Sequence, residues 1–322
     1  MKTLFSSETA FFGVDVASQE LVIARYPAQS NAKAITNDKK TIKTWLQTLP
    51  AQSVLGVEAT GAYHQDLIDL AHAAGVHCYV LNPKDVKHYA KSTGARAKTD
   101  AVDACLIARY IAKEHMELHL WQPAPKSCRK LDQLLTRRAK LVKVRGMFCQ
   151  SFAGLTGFSR EIKQMRDQMN RLLDKLDGLI QEATSTLPNG AVESARLQKI
   201  PGVGLLTSSY LLSVFTRVPF SNSDAVIAFA GLDPRANDSG TKTGRRKLSK
   251  RGPGEMRRLL YNAAMSGSKT ATWNPMYERA RAAGKTTTEA LIIIARKLAR
   301  VAFGLFKTQG AFDASKLGQA ST

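Results

Sequence analysis

Four carboxylates in this chain stand where they could share divalent cations. Asp15 lies at the end of the apolar run Ala10-Phe-Phe-Gly-Val-Asp-Val16, and Glu58 closes Val54-Leu-Gly-Val-Glu58. Asp100 and Asp103 lie three apart in Lys98-Thr-Asp-Ala-Val-Asp-Ala104, a spacing that puts both on one helix face. Gathered carboxylates repel unless a cation neutralises them, so the set points to Mg²⁺, with Mn²⁺ also suited to oxygen ligands. Two such ions could serve the attacking and leaving oxygens of a phosphodiester displacement. The bland alternative is that Asp100 caps its helix and Asp103 merely complements the dipole.

A second chemistry-bearing stretch is Phe229-Ala-Gly-Leu-Asp-Pro-Arg-Ala-Asn-Asp-Ser-Gly240, where Ser239 sits in a flexible Asp-Ser-Gly loop. Lys242, Arg245, Arg246, Lys247, Lys250 and Arg251 follow it. Read sharply, Ser239 attacks a phosphodiester while guanidinium groups stabilise the developing charge. Read blandly, the loop is solvated and holds phosphates. No Gly-x-Ser-x-Gly elbow or His–Ser spacing supports a hydrolase triad. Ile200-Pro-Gly-Val-Gly204 looks like a helix-hairpin-helix turn, in which Gly202 and Gly204 let backbone N–H groups approach a phosphate. An ordinary helix–helix turn is the alternative. His64, after Tyr63, reads as helix-start packing, and Trp273 as a buried side chain rather than a base-stacking one.

Elements must position these groups. From Thr9 to about Tyr110 the expected order is three strands (Phe11–Val16, Leu21–Tyr26, Ala32–Thr36), then alternating helices and strands. Asn37 is expected to cap a helix through Leu49, and Ser53–Glu58 is the next strand. A helix over Tyr63–Ala74, a buried strand over Val76–Leu81, a helix from Pro83 to Ser92 and one beginning near Asp100 complete an α/β layer. Between about Lys126 and Ser185 two apolar stripes, broken at Gly154 and Gly157, predict an antiparallel helical hairpin or coiled coil. Its seam could pack internally or serve a dimer. From about Ala191 to Gly310 the chain reads as helical, punctuated by Gly and Pro.

Composition bounds the partners. Lys and Arg total 47 against 26 Asp and Glu, a net charge of +21, which favours a nucleic-acid partner. Met1-Lys-Thr-Leu-Phe-Ser-Ser-Glu8 lacks the apolar run of a secretory leader. The apolar stretch Ala290 to Phe306 carries Arg296, Lys297 and Arg300, so it is expected in a core, not a membrane. The four cysteines form no C-x-x-C pair, which argues against a zinc site or a disulfide framework. A cytoplasmic, nucleoid-associated protein is expected.

Together these stretches resemble the DEDD transposases of bacterial insertion sequences, the family numbered one hundred and ten, which includes bridge-RNA-guided recombinases and pilin-gene invertases. The resemblance is carried by Gly13-Val-Asp-Val-Ala17, Glu58-Ala-Thr-Gly-Ala-Tyr63, Asn82-Pro-Lys-Asp-Val-Lys87, Ser92 to Ala104, Ile200 to Gly204, Phe229 to Pro234 and Ser239-Gly240, in order. It implies a RuvC-like domain of RNase H fold (1–125), a coiled-coil helical hairpin (126–188) and a mainly α-helical C-terminal transposase domain (189–322). It further implies that Asp15, Glu58, Asp100 and Asp103 hold metal and that Ser239 forms a covalent phosphoserine link to the cut strand, with Ser249 the rival serine. Double-stranded DNA, a structured non-coding guide RNA and a dimer or tetramer are the implied partners. The basic residues Arg129, Lys130, Arg137, Arg138, Lys140, Lys143 and Arg145 are compatible with holding RNA by its backbone.

Two other readings compete with the recombinase. A RuvC-like metal-dependent nuclease would use the acids and no serine, and a non-enzymatic scaffold would bind nucleic acid without breaking strands.

Overall fold

The computed structural model describes residues 5, 8–27, 32–59, 61, 63–94, 99–235, 238–239, 242–244 and 246–317, with only the backbone for 238–239 and 242–243. The chain divides into two compact units, Met1–Pro123 and Ala124–Thr322. No described helix is long and apolar enough to cross a membrane.

The first unit is built on β1 (Ala10–Val16), β2 (Glu20–Tyr26), β3 (Lys33–Thr36), β4 (Ser53–Glu58) and β5 (His77–Leu81). They form one sheet in the order β3-β2-β1-β4-β5. β1, β2 and β3 pair antiparallel, and β4 and β5 run parallel to β1. Helices α1 (Lys39–Leu46), α2 (Gln65–Ala73), α3 (Pro83–Ser92) and α4 (Asp100–Glu114) alternate with these strands or follow them.

Strand alternation sorts the two faces. Phe12, Val14, Val16, Leu55 and Val57 pack with Ile42, Trp45, Leu67 and Ile68 of α1 and α2. Val54 and Tyr79 share the other face with Val86 of α3 and Leu106, Ile107 and Ile111 of α4. Gly13 and Gly56 alternate onto that second face and stand opposite one another in the β1–β4 ladder. α4 lies directly over them: a Cβ on Gly13 would meet the Ala104 carbonyl oxygen at 2.2 Å, and one on Gly56 would meet Ile111 Cγ2 at 2.8 Å. The same alternation puts Asp15 and Glu58, two residues further along each strand, on the α4 side.

One cap differs from expectation. Asp38, not Asn37, caps α1, accepting from the Lys40 and Thr41 N–H groups at 2.9 Å each. Both types cap well, and composition alone does not separate neighbours.

In the second unit α5 (Lys126–Ser151) and α6 (Ser159–Ser185) run antiparallel, tied by the Arg138–Asp177 ion pair and by Arg145 Nη1 donating to Asn170 Oδ1 at 2.6 Å. Leu131, Leu135, Ile180 and Ala183 join the core that α7 (Gly190–Leu197), α8 (Leu205–Arg217), α9 (Ser223–Ala230), α10 (Gly254–Gly267), α11 (Asn274–Ala282) and α12 (Thr287–Thr308) surround. Hydroxyls on buried α8 are paired. Thr184 Oγ1 donates to Ser209 at 2.8 Å, and Ser213 Oγ donates to Asp132 at 2.6 Å. An unpaired hydroxyl there would cost about 1–3 kcal/mol.

Between α9 and α10 the described residues include short paired strands. They form a β-arm: β6 (Pro234–Arg235) pairs with β9 (Lys247–Leu248), and β7 (Asp238–Ser239) with β8 (Lys242–Thr243). Two-residue strands carry no readable alternation, so the sequence pattern gives no strand signal there.

Candidate active site

Asp15 and Glu58 sit at the carboxyl ends of parallel strands, where an open α/β sheet places its chemistry. Val14 and Val57 are partners in the β1–β4 ladder, so Asp15 and Glu58 follow side by side on neighbouring strand ends. Asp100 and Asp103 occupy the first turn of α4, one turn before the Ala104–Ala108 segment that rests on Gly13. Thr99 is the helix cap, its hydroxyl accepting from the Val102 N–H at 3.3 Å. Asp100 is therefore the first residue inside the helix, and its carboxylate is not the cap. The capping reading of Asp100 falls with that geometry, while both acids stand in the first turn, where carboxylates complement the helix dipole; Thr99, a good capping type just before the helix, was the signal for the cap.

Electrostatics links all four. The Asp15 carboxyl is held above the ordinary carboxylate range, first by burial, then by the negative charges of Asp100 and Asp103, and least by Glu58. The Val16 N–H, 3.1 Å from Asp15 Oδ1, opposes the shift. Among the described residues no cationic side chain figures in these influences on Asp15. The donors fit a hard divalent cation in kind and charge. Among the described residues no three Asp, Glu, His or Cys side chains converge closely enough to form a ready metal cage.

Of the neighbouring residues, His64 packs at a helix start as its sequence position predicted, and Asn37 has a role that pattern did not reveal. His64 is 5% exposed at the start of α2, with Gln65 Nε2 3.2 Å from its Nε2 and burial lowering its pKa. Tyr63 is 53% exposed. Asn37 reaches from the end of β3 to the main chain beyond both acid-bearing strands.

In the second unit Ser239 lies in β7, directly opposite Lys242 in β8, toward the tip of the arm. Ser249 sits at the base, where its hydroxyl donates to the Asp233 carboxylate and its N–H to the Asp233 carbonyl at 3.0 Å. Arg257 Nη1 ties that base together by donating to the carbonyls of Ala230, at 3.0 Å, and Gly252, at 2.6 Å. Arg246, Lys247, Lys250 and Arg251 are exposed along the returning strand and base. Arg245 lies outside the described residues.

The turn before α8 divides its two glycines. Gly202 has φ +92° and abuts α10, where a Cβ would meet the Ala263 carbonyl oxygen at 2.3 Å. Gly204 begins α8, is exposed, and has nothing within 4 Å of a Cβ position. Trp273 is fully buried and donates from Nε1 to the Pro201 carbonyl at 2.9 Å, so it braces this turn and does not stack on a base.

Comparison with known proteins covers both units. Residues 12–155 match the DEDD-type IS110 transposase model, described as a transposase, and residues 194–279 match the Transposase IS116/IS110/IS902 family. The chain is 30% identical over 271 residues to the pilin gene-inverting protein of Moraxella lacunata, covering 80% of this chain and 81% of that protein. The counterpart in Moraxella bovis is 29% identical over 271 residues, with the same coverage. The transposase for insertion sequence element IS1111A of Coxiella burnetii is 29% identical over 224 residues, 59% of each chain.

Proposed function

Because this chain belongs to the IS116/IS110/IS902 transposase family, and so is a recombinase acting on DNA, we propose that it cuts and rejoins strands through a covalent serine intermediate. In this reading Ser239 Oγ attacks a DNA phosphorus. A Ser–O–P bond forms as one P–O bond of the strand breaks, and the departing strand oxygen takes up a proton. The phosphodiester energy is kept in the serine ester, so a second strand's hydroxyl can attack it and rejoin without ATP. The exposed Arg246, Lys247, Lys250 and Arg251, with Lys242 and Arg245, would balance the charge that develops on the phosphate.

Asp15, Glu58, Asp100 and Asp103 would hold Mg²⁺, or Mn²⁺. Such an ion would neutralise phosphate charge and polarise the reacting oxygens. The observation that carries this part is Asp15, whose carboxyl is raised by burial and by the other three acids. The sheet order, three antiparallel strands and then two parallel ones, supports reading the first unit as RNase H- and RuvC-like. We read α5 and α6 as the coiled-coil segment between it and a C-terminal transposase part, following the divisions 1–125, 126–188 and 189–322.

The exposed α5 residues Lys130, Arg137, Lys140 and Lys143 suit the backbone of a structured guide RNA, whose pairing would then supply sequence choice. Arg138 and Arg145 are engaged with α6 and take less part. Gly204 leaves the amino end of α8 open to a DNA phosphate. Recombining two duplexes calls for a dimer or tetramer, and a DNA substrate puts the protein in the cytoplasm at the nucleoid. The relatives' names speak of gene inversion and of transposition, and strand exchange would serve both.

The test uses labelled junction DNA, Mg²⁺ and RNA transcribed from the flanking non-coding segment, resolved on a denaturing gel. A protein–DNA adduct that disappears in Ser239→Ala is expected. Cleavage without an adduct would instead identify a metal-only nuclease.

A further inference from the structure

Asn37 is placed between the two strand ends that carry Asp15 and Glu58. Its main-chain N–H donates to the Gln19 carbonyl at 2.8 Å, which fixes the residue against the β1–β2 turn. Its side-chain Nδ2 donates to the Ala17 carbonyl at 2.9 Å and to the Tyr63 carbonyl at 3.2 Å. Ala17 lies just beyond Asp15 in sequence, and Tyr63 lies on the way from Glu58 into α2. One amide nitrogen carries two hydrogens and here meets two carbonyl oxygens, so both donors are used. Asp38, next in the chain, caps α1 and anchors the bridge from the other side.

We infer that Asn37 is a positioning residue that clasps the main chain beyond β1 to the main chain beyond β4 and so sets the spacing of Asp15 and Glu58 for a divalent cation. The inference rests on the reading of the four acids as a metal site. Its physical basis is direct. The β1–β4 ladder pairs the strands as far as Val14 and Val57, and the two acids lie just past that pairing. Past that pairing Asp15 is still held opposite Val22 of β2 and Glu58 opposite Leu81 of β5, so each acid is fixed on its outer side, and Asn37 joins the two exits to each other. Isoelectronic shape is not enough for the role, because two carbonyls facing one group require two donors.

The test titrates the full chain with Mn²⁺ and follows free ion by electron paramagnetic resonance, for wild type, Asn37→Ala, Asn37→Ser and Asp15→Asn. Metal-free thermal unfolding of each is measured alongside. Asp15→Asn is expected to lose tight Mn²⁺ binding. Asn37→Ala should weaken it roughly tenfold, the low end for groups that orient metal ligands. Asn37→Ser, which keeps one donor on a shorter side chain, should lie between Asn37→Ala and wild type. A residue that only supported the fold would lower the unfolding temperature and leave Mn²⁺ affinity unchanged. Wild-type affinity in either folded Asn37 variant, with binding lost in Asp15→Asn, overturns the clasp alone. Unchanged binding in Asp15→Asn overturns the acid-site reading beneath it.

Discussion

Gly13 of β1 and Ala104 of α4 are in backbone contact: a Cβ at Gly13 would lie 2.2 Å from the Ala104 carbonyl oxygen and equally close to the Ala108 nitrogen. This contact sets the height of α4 above the sheet, and with it the distance from Asp100 and Asp103 to Asp15. A side chain cannot be inserted without moving the helix that carries two of the four acids.

Gly13→Ala should therefore destabilise the first unit by about 3 kcal/mol or more, because backbone atoms on both sides must separate. Gly56→Ala meets the Ile107 and Ile111 side chains first and should cost less, on the order of 1–2 kcal/mol. Urea unfolding of the two variants checks the ranking. Equal stabilities, or a wild-type midpoint for Gly13→Ala, would mean that the helix is not seated on this glycine.

The acid cluster makes a prediction about pH and metal. Folding raises the Asp15 pKa above its ordinary 3.8, so the folded state holds the proton longer than the unfolded one. Stability from this group is full below that ordinary value and falls as pH rises through the raised value, after which it stays level. Asp15→Asn removes the loss. Without divalent ions at neutral pH, the variant should melt at or above wild type. Mg²⁺ should then raise the melting temperature of wild type and leave Asp15→Asn unmoved. A Mg²⁺ response of the same size in both proteins would remove Asp15 from the metal site.

The two serines of the arm should part company. Ser249→Ala loses the hydrogen bond to Asp233 at the arm's base and should cost about 1 kcal/mol, visible as a lower melting temperature. Ser239→Ala should leave melting unchanged and remove the covalent DNA adduct. An adduct that persists in Ser239→Ala and vanishes in Ser249→Ala would transfer the nucleophile to the base of the arm.

The glycines before α8 should also separate. Gly202→Ala combines a positive φ with a Cβ 2.3 Å from the Ala263 carbonyl, and should cost about 3 kcal/mol. Gly204→Ala meets open space, so its stability should stay near wild type while its affinity for duplex DNA falls. Unchanged DNA affinity in Gly204→Ala would remove the turn from the DNA interface.

Much of this was legible from residue order. The strand runs ending near Asp15 and Glu58 carry their own apolar signal, and Ser53–Glu58 and Pro83–Ser92 were bounded correctly from composition and breakers. The three-apart spacing of Asp100 and Asp103 is a local property of a helix, and a local pattern needs no tertiary information. The excess of basic residues likewise states the class of partner without a fold.

Other assignments waited for distances across the chain. Asn37 and Asp38 are equally good capping types side by side, and only the positions of Ala17 and Tyr63 gave Asn37 its second task. Gly202 and Gly204 read alike until α10 was found against one and open space beside the other. Ser239 and Ser249 are both hydroxyls in a basic, glycine-rich stretch, and strand pairing put one near the tip and tied the other to Asp233. Sequence determines residue chemistry and short-range periodicity because those act over a few bonds. Which residues meet is decided by the packing of elements far apart in the chain, and only the tertiary structure sets that.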